Sequence, residues 1–169
     1  MKTTEENNEK LVLEAFDTLF NKRDYAAAER YWSCHYIQHS AHIEPGREGL
    51  FNLIKSLPPT LKYEAGVIVA GGDFVMVHGR FSGFGAPVNW VAADIVRLQD
   101  GLLSEHWDVI QDEATQEQSK SGLPMFGDKF RNDSGELLPA QILFNGYQLN
   151  RRNHDERPIE PRDESARRP

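Results

Sequence analysis

Asp94 is a carboxylate in the middle of an otherwise apolar segment, Trp90-Val-Ala-Ala-Asp94-Ile-Val-Arg-Leu. Strand propensity and burial both disfavour an aspartate there, and a local rule broken in mid-strand is where function should be sought. The following apolar segment carries His106 and Asp108, which are two residues apart. Residues two apart lie on one face of a strand, so these side chains could form an acid–base group.

Whether these residues meet depends on the turn between the two segments. A three-residue loop, residues 99–101, places Asp94 opposite His106 and keeps Asp108 on the same face. A two-residue loop places Asp94 opposite Trp107 and turns Asp108 to the other side. Both turns are physically allowed. We favour the first because it gathers the polar residues on one face.

The preceding hairpin adds a second imidazole to this prediction. A three-residue loop at Gly85-Ala86-Pro87 places His78 opposite Asp94, so that His78, Asp94 and His106 form a row across three strands. A carboxylate beside an imidazole fixes which ring nitrogen carries the proton, and acid–base catalysis needs that control. The other interpretation of the same spacing is a structural Asp–His pair, or polar residues on a solvent-facing side of the sheet.

A second group of candidates lies in the segment His35-Tyr-Ile-Gln-His39-Ser-Ala-His42. On a helix, these three histidines could bind zinc or iron. The segment lacks a helical apolar stripe and runs into Pro45, so we expect His39 to line a pocket and expect no metal site. The other residues expected to contact a substrate are Gln38, Tyr36, Trp32, Trp90 and Phe51.

The elements that must position these residues change in period along the chain. Helical periodicity and capping signals predict helices over residues 4–22 and 25–32 and after Pro45-Gly46, ending at Pro58-Pro59. Alternation then predicts strands over residues 61–70, 74–84, 88–98 and 102–110, separated by turn residues. Helices followed by an antiparallel meander predict an α+β fold, in which the helices cover one face of a curved sheet and leave a pocket beneath them.

Composition sets limits on the class of protein. The 169 residues suit one domain, the formal net charge of −7 disfavours nucleic-acid binding, and the lone Cys34 excludes an intrachain disulfide. No apolar run is long enough for a membrane span, and the start lacks an apolar signal core, so we expect a cytoplasmic protein. We predict a domain over residues 1–127, an extension over 128–150 that packs on the domain or a partner subunit, and a flexible charged tail over 151–169. The apolar residues of the extension favour a homodimer.

Several short motifs, taken in order, resemble the SnoaL-like polyketide cyclase family, and in particular its branch of SnoaL-like aldol-condensation enzymes. The resemblance covers about residues 5–126. The motifs are Tyr36-Ile37-Gln38-His39, Gly46-Arg47-Glu48-Gly49, Gly72-Asp73-Phe74-Val75 leading to His78, Asp94-Ile-Val-Arg, and Glu105-His106-Trp107-Asp108. The resemblance implies an NTF2-like cone, often dimeric, with a cavity that needs neither cofactor nor metal.

The resemblance also implies a reaction, namely ring closure by intramolecular aldol condensation with an acidic residue that transfers the proton. By motif, Asp108 matches the catalytic aspartate of the family. Asp94 stands where the antibiotic-pathway cyclases have a histidine, and Gln38-His39 matches a pocket position where they carry an amide.

These observations lead us to expect a small lyase or cyclase that acts on a carbonyl compound. Asp108 or Asp94 would remove a proton next to the carbonyl, and His106, His78 or His39 would donate to the developing enolate oxygen. Two alternatives stay open at this point. One is a non-catalytic small-molecule-binding domain of the same fold, and the other is a hydrolase in which the Asp–His pair activates water.

Overall fold

The computed structural model describes residues 3–131 of the chain. The predicted extension beyond residue 131 and the predicted tail lie outside the described residues. In chain order the elements are α1 (Thr4–Phe16), a π-helical segment (Asp17–Asn21), α2 (Tyr25–Ala28), β1 (Trp32–Gln38), α3 (Gly46–Ser56), β2 (Lys62–Gly71), β3 (Phe74–Ser82), β4 (Trp90–Gln99) and β5 (Leu102–Asp112). Within residues 3–131, no helix has the length and apolar character that a bilayer crossing requires.

The predicted α+β fold is confirmed, with one addition to the sheet. The strand order is β1-β5-β4-β3-β2, in which β2 to β5 form the predicted antiparallel meander. The added strand, β1, runs parallel to β5, so the sheet is mixed. The second helix was predicted to reach Trp32, but it ends at Ala28 and Trp32 begins β1. No simple period marks this strand because its pairing with β5 is irregular between Trp32 and Ile37.

The N-terminal helix begins with the predicted capping box. The Thr3 hydroxyl accepts from the backbone N–H of Glu6, and the Glu6 carboxylate accepts from that of Thr3. The helix widens into the π-helical segment, which ends at Asn21. The side-chain amide of Asn21 then pairs with both backbone groups of Tyr63, at 2.9 and 3.1 Å. This pairing fixes the end of the helix to β2.

The hairpin between β4 and β5 has the two-residue loop that was the second alternative, but its pairing differs from the one expected for that loop. Its loop has two residues, Asp100 and Gly101, which lie at φ 52° and 75°. The favoured three-residue loop is therefore wrong, because consecutive left-handed residues close a tighter turn. An extra residue in β5, Ser104, then forms a bulge that shifts the pairing by one.

The bulge keeps Asp94, His106 and Asp108 on one face of the sheet, as the three-residue loop was expected to do. Beyond it, Asp94 pairs with Asp108 and Val96 pairs with His106. All three polar side chains consequently lie on the face of the sheet that packs against the helices. The expectation that they share a face is confirmed, although the partner predicted for Asp94 is wrong.

The predicted row with His78 is also wrong. Strand β3 ends at Ser82 and β4 begins at Trp90, so the loop between them is longer than three residues. The pairing of the two strands is therefore shifted by one residue from the predicted register. His78 pairs with Ala93, and its ring lies on the opposite face of the sheet, against Phe126. A register shift of one residue, or of any odd number of residues, turns every side chain of a strand to the other face of the sheet.

The two faces of the sheet have different surroundings. The inner face, packed against the helices, holds a core of 18 buried residues that includes Phe16, Leu19, Val75, Val77 and Leu103. On the outer face, Phe126, in the segment after β5, covers one part of the sheet. The rest of this outer face carries exposed apolar side chains, among them Ile37, Val69, Phe74, Met76 and Val109.

Arg80 is the one arginine or lysine that is buried among the described residues, with 2% of its surface exposed. Its guanidinium contacts the carboxylates of Glu64 and Glu113, and Phe126 covers it with a ring centroid at 5.2 Å. Glu113 also accepts from Asn89 at 2.9 Å. The buried charge therefore ties β2, β3 and the segment after β5 together.

We expect replacement of Arg80 by alanine to lower the free energy of unfolding by about 3 kcal/mol, because it removes a buried side chain and leaves the partly buried carboxylate of Glu113 without its cationic partner. Chemical denaturation measures this change. The control is Arg47→Ala, since Arg47 pairs only with the exposed Glu48, and its loss should change stability by less than about 1 kcal/mol. Equal effects of the two substitutions would contradict the role given to Arg80.

Candidate active site

An apolar pocket lies between the helices and the inner face of the sheet, with a volume of about 70 Å3. Its apolar wall consists of Phe16, Phe20, Trp32, Ile43, Leu50, Leu53, Ile54, Leu57, Leu61, Phe81, Phe84, Trp90 and Ile110. Its polar residues are Tyr36, Ser40, His42, Asp94, His106 and Asp108. Among the residues that the structure describes, the lining contains no lysine or arginine. A few convergent polar groups in an apolar concavity are typical of a small-molecule site.

Three of these polar residues form a compact group. Asp94, His106 and Asp108 each bring one side-chain N or O atom within 4.8 Å of the others. The cross-strand pair Asp94 and Asp108 supplies the carboxylates, and His106 lies two residues before Asp108 on the same strand. Asp94 and His106 are buried, with 4% and 7% of their surfaces exposed.

His106 makes a hydrogen bond through each ring nitrogen. Nδ1 lies 2.9 Å from Oε1 of Gln38, and Nε2 lies 3.1 Å from Oδ1 of Asp94. The Gln38 oxygen also accepts from the backbone N–H of Ser40, which assigns the orientation of the amide. Nδ1 is therefore the donor towards Gln38.

This assignment determines whether a proton lies between His106 and Asp94. With Nδ1 protonated, a neutral His106 would turn a lone pair on Nε2 towards the carboxylate of Asp94. Two acceptors at 3.1 Å need a proton between them. A proton therefore lies between Nε2 of His106 and Oδ1 of Asp94.

The second oxygen of Asp94 accepts from a residue that the sequence did not single out. The Tyr63 phenol donates to Oδ2 at 3.3 Å. Burial raises the pKa of Tyr63, and the negative charge of Asp94 raises it further, so the phenol stays protonated as a donor. The ring packs directly on the backbone of Gly79, where an added Cβ would overlap it. Only the fold brings these residues together, because Tyr63 and Asp94 are 31 positions apart.

Asp108 differs from Asp94 in its contacts. Within residues 3–131 no hydrogen bond or ion pair is made by its carboxylate. It lines the pocket and is partly exposed. Of the two carboxylates, Asp108 is the one free to accept a proton from a bound molecule, whereas both oxygens of Asp94 are engaged.

The predicted substrate-binding residues separate into two groups. Trp32, Tyr36 and Trp90 line the pocket. Gln38 lies behind His106 and contacts it without lining the pocket. Phe51 packs edge-on against Trp32 at 5.6 Å, and it supports the wall from the core.

His39 lies on the outer face of the sheet, so the expectation that it lines the pocket is wrong. Its ring stacks on Trp107 at 4.8 Å and bonds to Glu105 at 2.9 Å. That hydrogen bond lowers the pKa of Glu105, and a second one from Arg97 acts in the same direction. The helical metal site considered for His35, His39 and His42 is also excluded, because His35 lies on β1.

Asp94, His106 and Asp108 are the residues in the described part of the chain whose atoms could together hold a metal ion. Carboxylate and imidazole ligands would suit several divalent cations. The metal-free and cofactor-free cavity implied by the resemblance stays a prediction.

We expect Gly79→Ala to lower the free energy of unfolding by about 1–3 kcal/mol, because the added methyl group displaces the Tyr63 ring from Asp94. The matched control is Gly71→Ala, since a Cβ at this strand glycine meets nothing within 4 Å. Thermal or chemical denaturation compares the two. If both substitutions were equally harmless, the close packing of Tyr63 on Gly79 would be refuted.

Comparison with solved structures places this fold among known ones. An NTF2-like protein of unknown function from Cytophaga hutchinsonii is 20% identical, with a TM-score of 0.55 over 66% of this chain and 95% of the other. A protein assigned as a ketosteroid isomerase, from Kribbella flavida, is 19% identical, with a TM-score of 0.60 over 76% of this chain and 98% of the other. One assigned as a SnoaL-like polyketide cyclase, from Jannaschia sp. CCS1, is 21% identical, with a TM-score of 0.54 over 66% and 90%.

These likenesses show that the fold is NTF2-like, and at such identities they show the fold alone. No curated protein matches the sequence. The model of the SnoaL-like domain matches residues 12–106, which is more than half of the chain and includes Asp94 and His106. The chain therefore belongs to the SnoaL-like domain family.

Proposed function

We propose that the protein is an acid–base enzyme that removes a proton next to the carbonyl group of a small molecule. The observation that carries this proposal is the carboxylate of Asp108, which has no partner within residues 3–131 and lies in an apolar pocket. Because this carboxylate lines the pocket and is partly exposed, it can reach a C–H group of a bound molecule and act as a general base.

The neighbouring pair supplies the acid for the same reaction. Asp108 takes the proton from carbon, the C–H bond breaks, and its electron pair forms the enolate. The enolate carbon then attacks a second carbonyl group in an aldol reaction, and the new alkoxide takes the proton held by His106 and Asp94. Transfer of the proton from Asp108 back to this pair restores the starting state.

Asp94 and His106 therefore take a different role from Asp108. Asp94 is held by Tyr63 and His106, so it orients the imidazole and stores the proton. His78 and His39 take no part in this mechanism, because both rings lie on the outer face. The family membership supports a reaction of this class, since solved relatives of this fold include one assigned as a SnoaL-like polyketide cyclase.

We expect Asp108→Asn to reduce enzyme-catalysed exchange of α-hydrogens by roughly 10²–10⁴-fold, because the general base is lost. The assay follows deuterium incorporation into 1-tetralone in D2O by NMR, a reaction that needs no second substrate. Glu105→Gln is the matched control, since Glu105 lies on the same strand but on the outer face, and exchange should be unchanged. Asp94→Asn should also reduce exchange.

Two results would contradict the proposed reaction. Exchange by the wild-type protein no faster than in buffer, with the ketone bound, would favour a non-catalytic binding domain. Full exchange by Asp108→Asn would show that another group is the base.

The exposed apolar residues of the outer face support a homodimer. Val109 is 70% exposed, Val69 53% and Ile37 50%, and an apolar surface of this extent is typical of a protein interface. A second copy that packs its sheet on this face would cover these side chains in both subunits. That the predicted extension after residue 127 joins this contact stays a prediction. The cytoplasmic location also stays a prediction.

We expect Val109→Lys to convert the dimer into monomer, because the substitution places a charge in the centre of the contact. Analytical ultracentrifugation of the full chain measures the mass. Asn7→Lys is the control. Asn7 is an exposed residue of α1, away from this face, and its substitution adds the same charge. A wild-type protein that sediments as a monomer would contradict the dimer.

A further inference from the structure

One buried donor in the pocket wall has no partner. Nε1 of Trp32 is the single buried side-chain nitrogen or oxygen atom without a hydrogen-bond partner among residues 3–131. Trp32 itself is 2% exposed and lines the pocket. An unsatisfied buried N–H costs about 1–3 kcal/mol, so it indicates a position at which a ligand atom is to be received.

The Tyr36 phenol provides a second donor beside it. Its oxygen accepts from Nε2 of Gln38 at 3.4 Å, and it lies near the Trp32 N–H, which opposes the rise in the pKa of Tyr36. The hydrogen of the Tyr36 hydroxyl has no acceptor in the described part of the chain. Burial raises the pKa of Tyr36, and the charges of Asp94 and Asp108 raise it further, so this hydrogen stays on the phenol.

The charges of the pocket restrict what these donors can bind. Asp94 and Asp108 line it, and no lysine or arginine among residues 3–131 does. A carboxylate or phosphate group inside this pocket would lie near like charge, and residues 3–131 place no lysine or arginine in the lining to pair with it. An uncharged oxygen, such as that of a ketone, needs only hydrogen-bond donors.

We propose that Tyr36 and Trp32 form an oxygen subsite that binds the carbonyl group of an uncharged ketone. This inference rests on the proposed function, because the two donors would stabilise the enolate oxygen formed when Asp108 takes the proton. No covalent bond forms at the subsite. Since the pocket volume is only about 70 Å3, the substrate inserts a small part such as one flat ring between the aromatic walls.

The test uses infrared spectroscopy of 1-tetralone carrying a ¹³C label at its carbonyl, bound to the full chain. Hydrogen bonds from the subsite should lower the C=O stretching frequency relative to the ketone in an apolar solvent. Tyr36→Phe should lose most of this shift and Trp32→Phe part of it, because each removes one donor. Tyr31→Phe is the control, since Tyr31 packs against the core without lining the pocket, and it should keep the full shift.

A second measurement needs no variant, so a failure of Tyr36→Phe to fold would leave the inference testable. Methyl 4-acetylbenzoate should bind to the wild-type protein at least about tenfold more tightly than 4-acetylbenzoate, because Asp94 and Asp108 in the pocket lining repel an anion. Equal binding, or tighter binding of the anion, would overturn the substrate class.

The spectra also distinguish this inference from the proposed function. A ketone that does not bind, that binds without a shift, or that keeps its shift in both Tyr36→Phe and Trp32→Phe would overturn the subsite. Asp108→Asn should keep the shift even though it loses exchange. A shift that survives while the wild-type protein shows no exchange would mean that the subsite exists and that Asp108 is not a base.

Discussion

The buried carboxylate of Asp94 is the constraint on which the rest of the site depends. Removing a carboxylate from water is costly unless every oxygen finds a donor or a charge. Tyr63 and His106 meet that requirement from two directions, and each is in turn held by a further residue. Gly79 leaves space for the Tyr63 ring, and Gln38 fixes the orientation of His106. A polar chain thus runs from β2 to β1 across an otherwise apolar interior.

This arrangement separates the tasks of two carboxylates that face each other across a strand pair. Asp94 has a full set of partners, and in the proposed reaction it holds a proton and orients an imidazole. Asp108, directly opposite, has none within residues 3–131 and stays available to a ligand. Their different surroundings therefore give the same functional group two roles, which is a common solution in acid–base sites. The apolar wall strengthens both roles, since charges interact more strongly where water is excluded.

The same sheet meets a different demand on its outer face. There the buried charge of Arg80 is compensated by Glu64 and Glu113 and covered by Phe126, which secures the segment after β5. Beyond this segment the face carries exposed apolar side chains beside the polar group of His39, Arg97 and Glu105. His78 and His39, which looked like catalytic candidates in the sequence, belong to this outer face and stack on aromatic rings there.

The sequence by itself determined the α+β fold, the order of its helices and the four strands of the meander, because these elements carry regular periods and local capping or turn signals. It also identified Asp94, His106 and Asp108 as one group. The shorter turn and the bulge each shift the pairing by one residue in opposite directions, so these side chains stay on one face of the sheet. Only the tertiary structure decided that the two-residue turn and the bulge at Ser104 do cancel, and that the longer β3–β4 connection turns His78 away. It alone revealed β1, whose partner lies more than 60 residues further along the chain, and the contacts of Tyr63 and Trp32. Register and long-range pairing depend on the packing of the whole sheet, whereas periodicity depends only on neighbours in the chain.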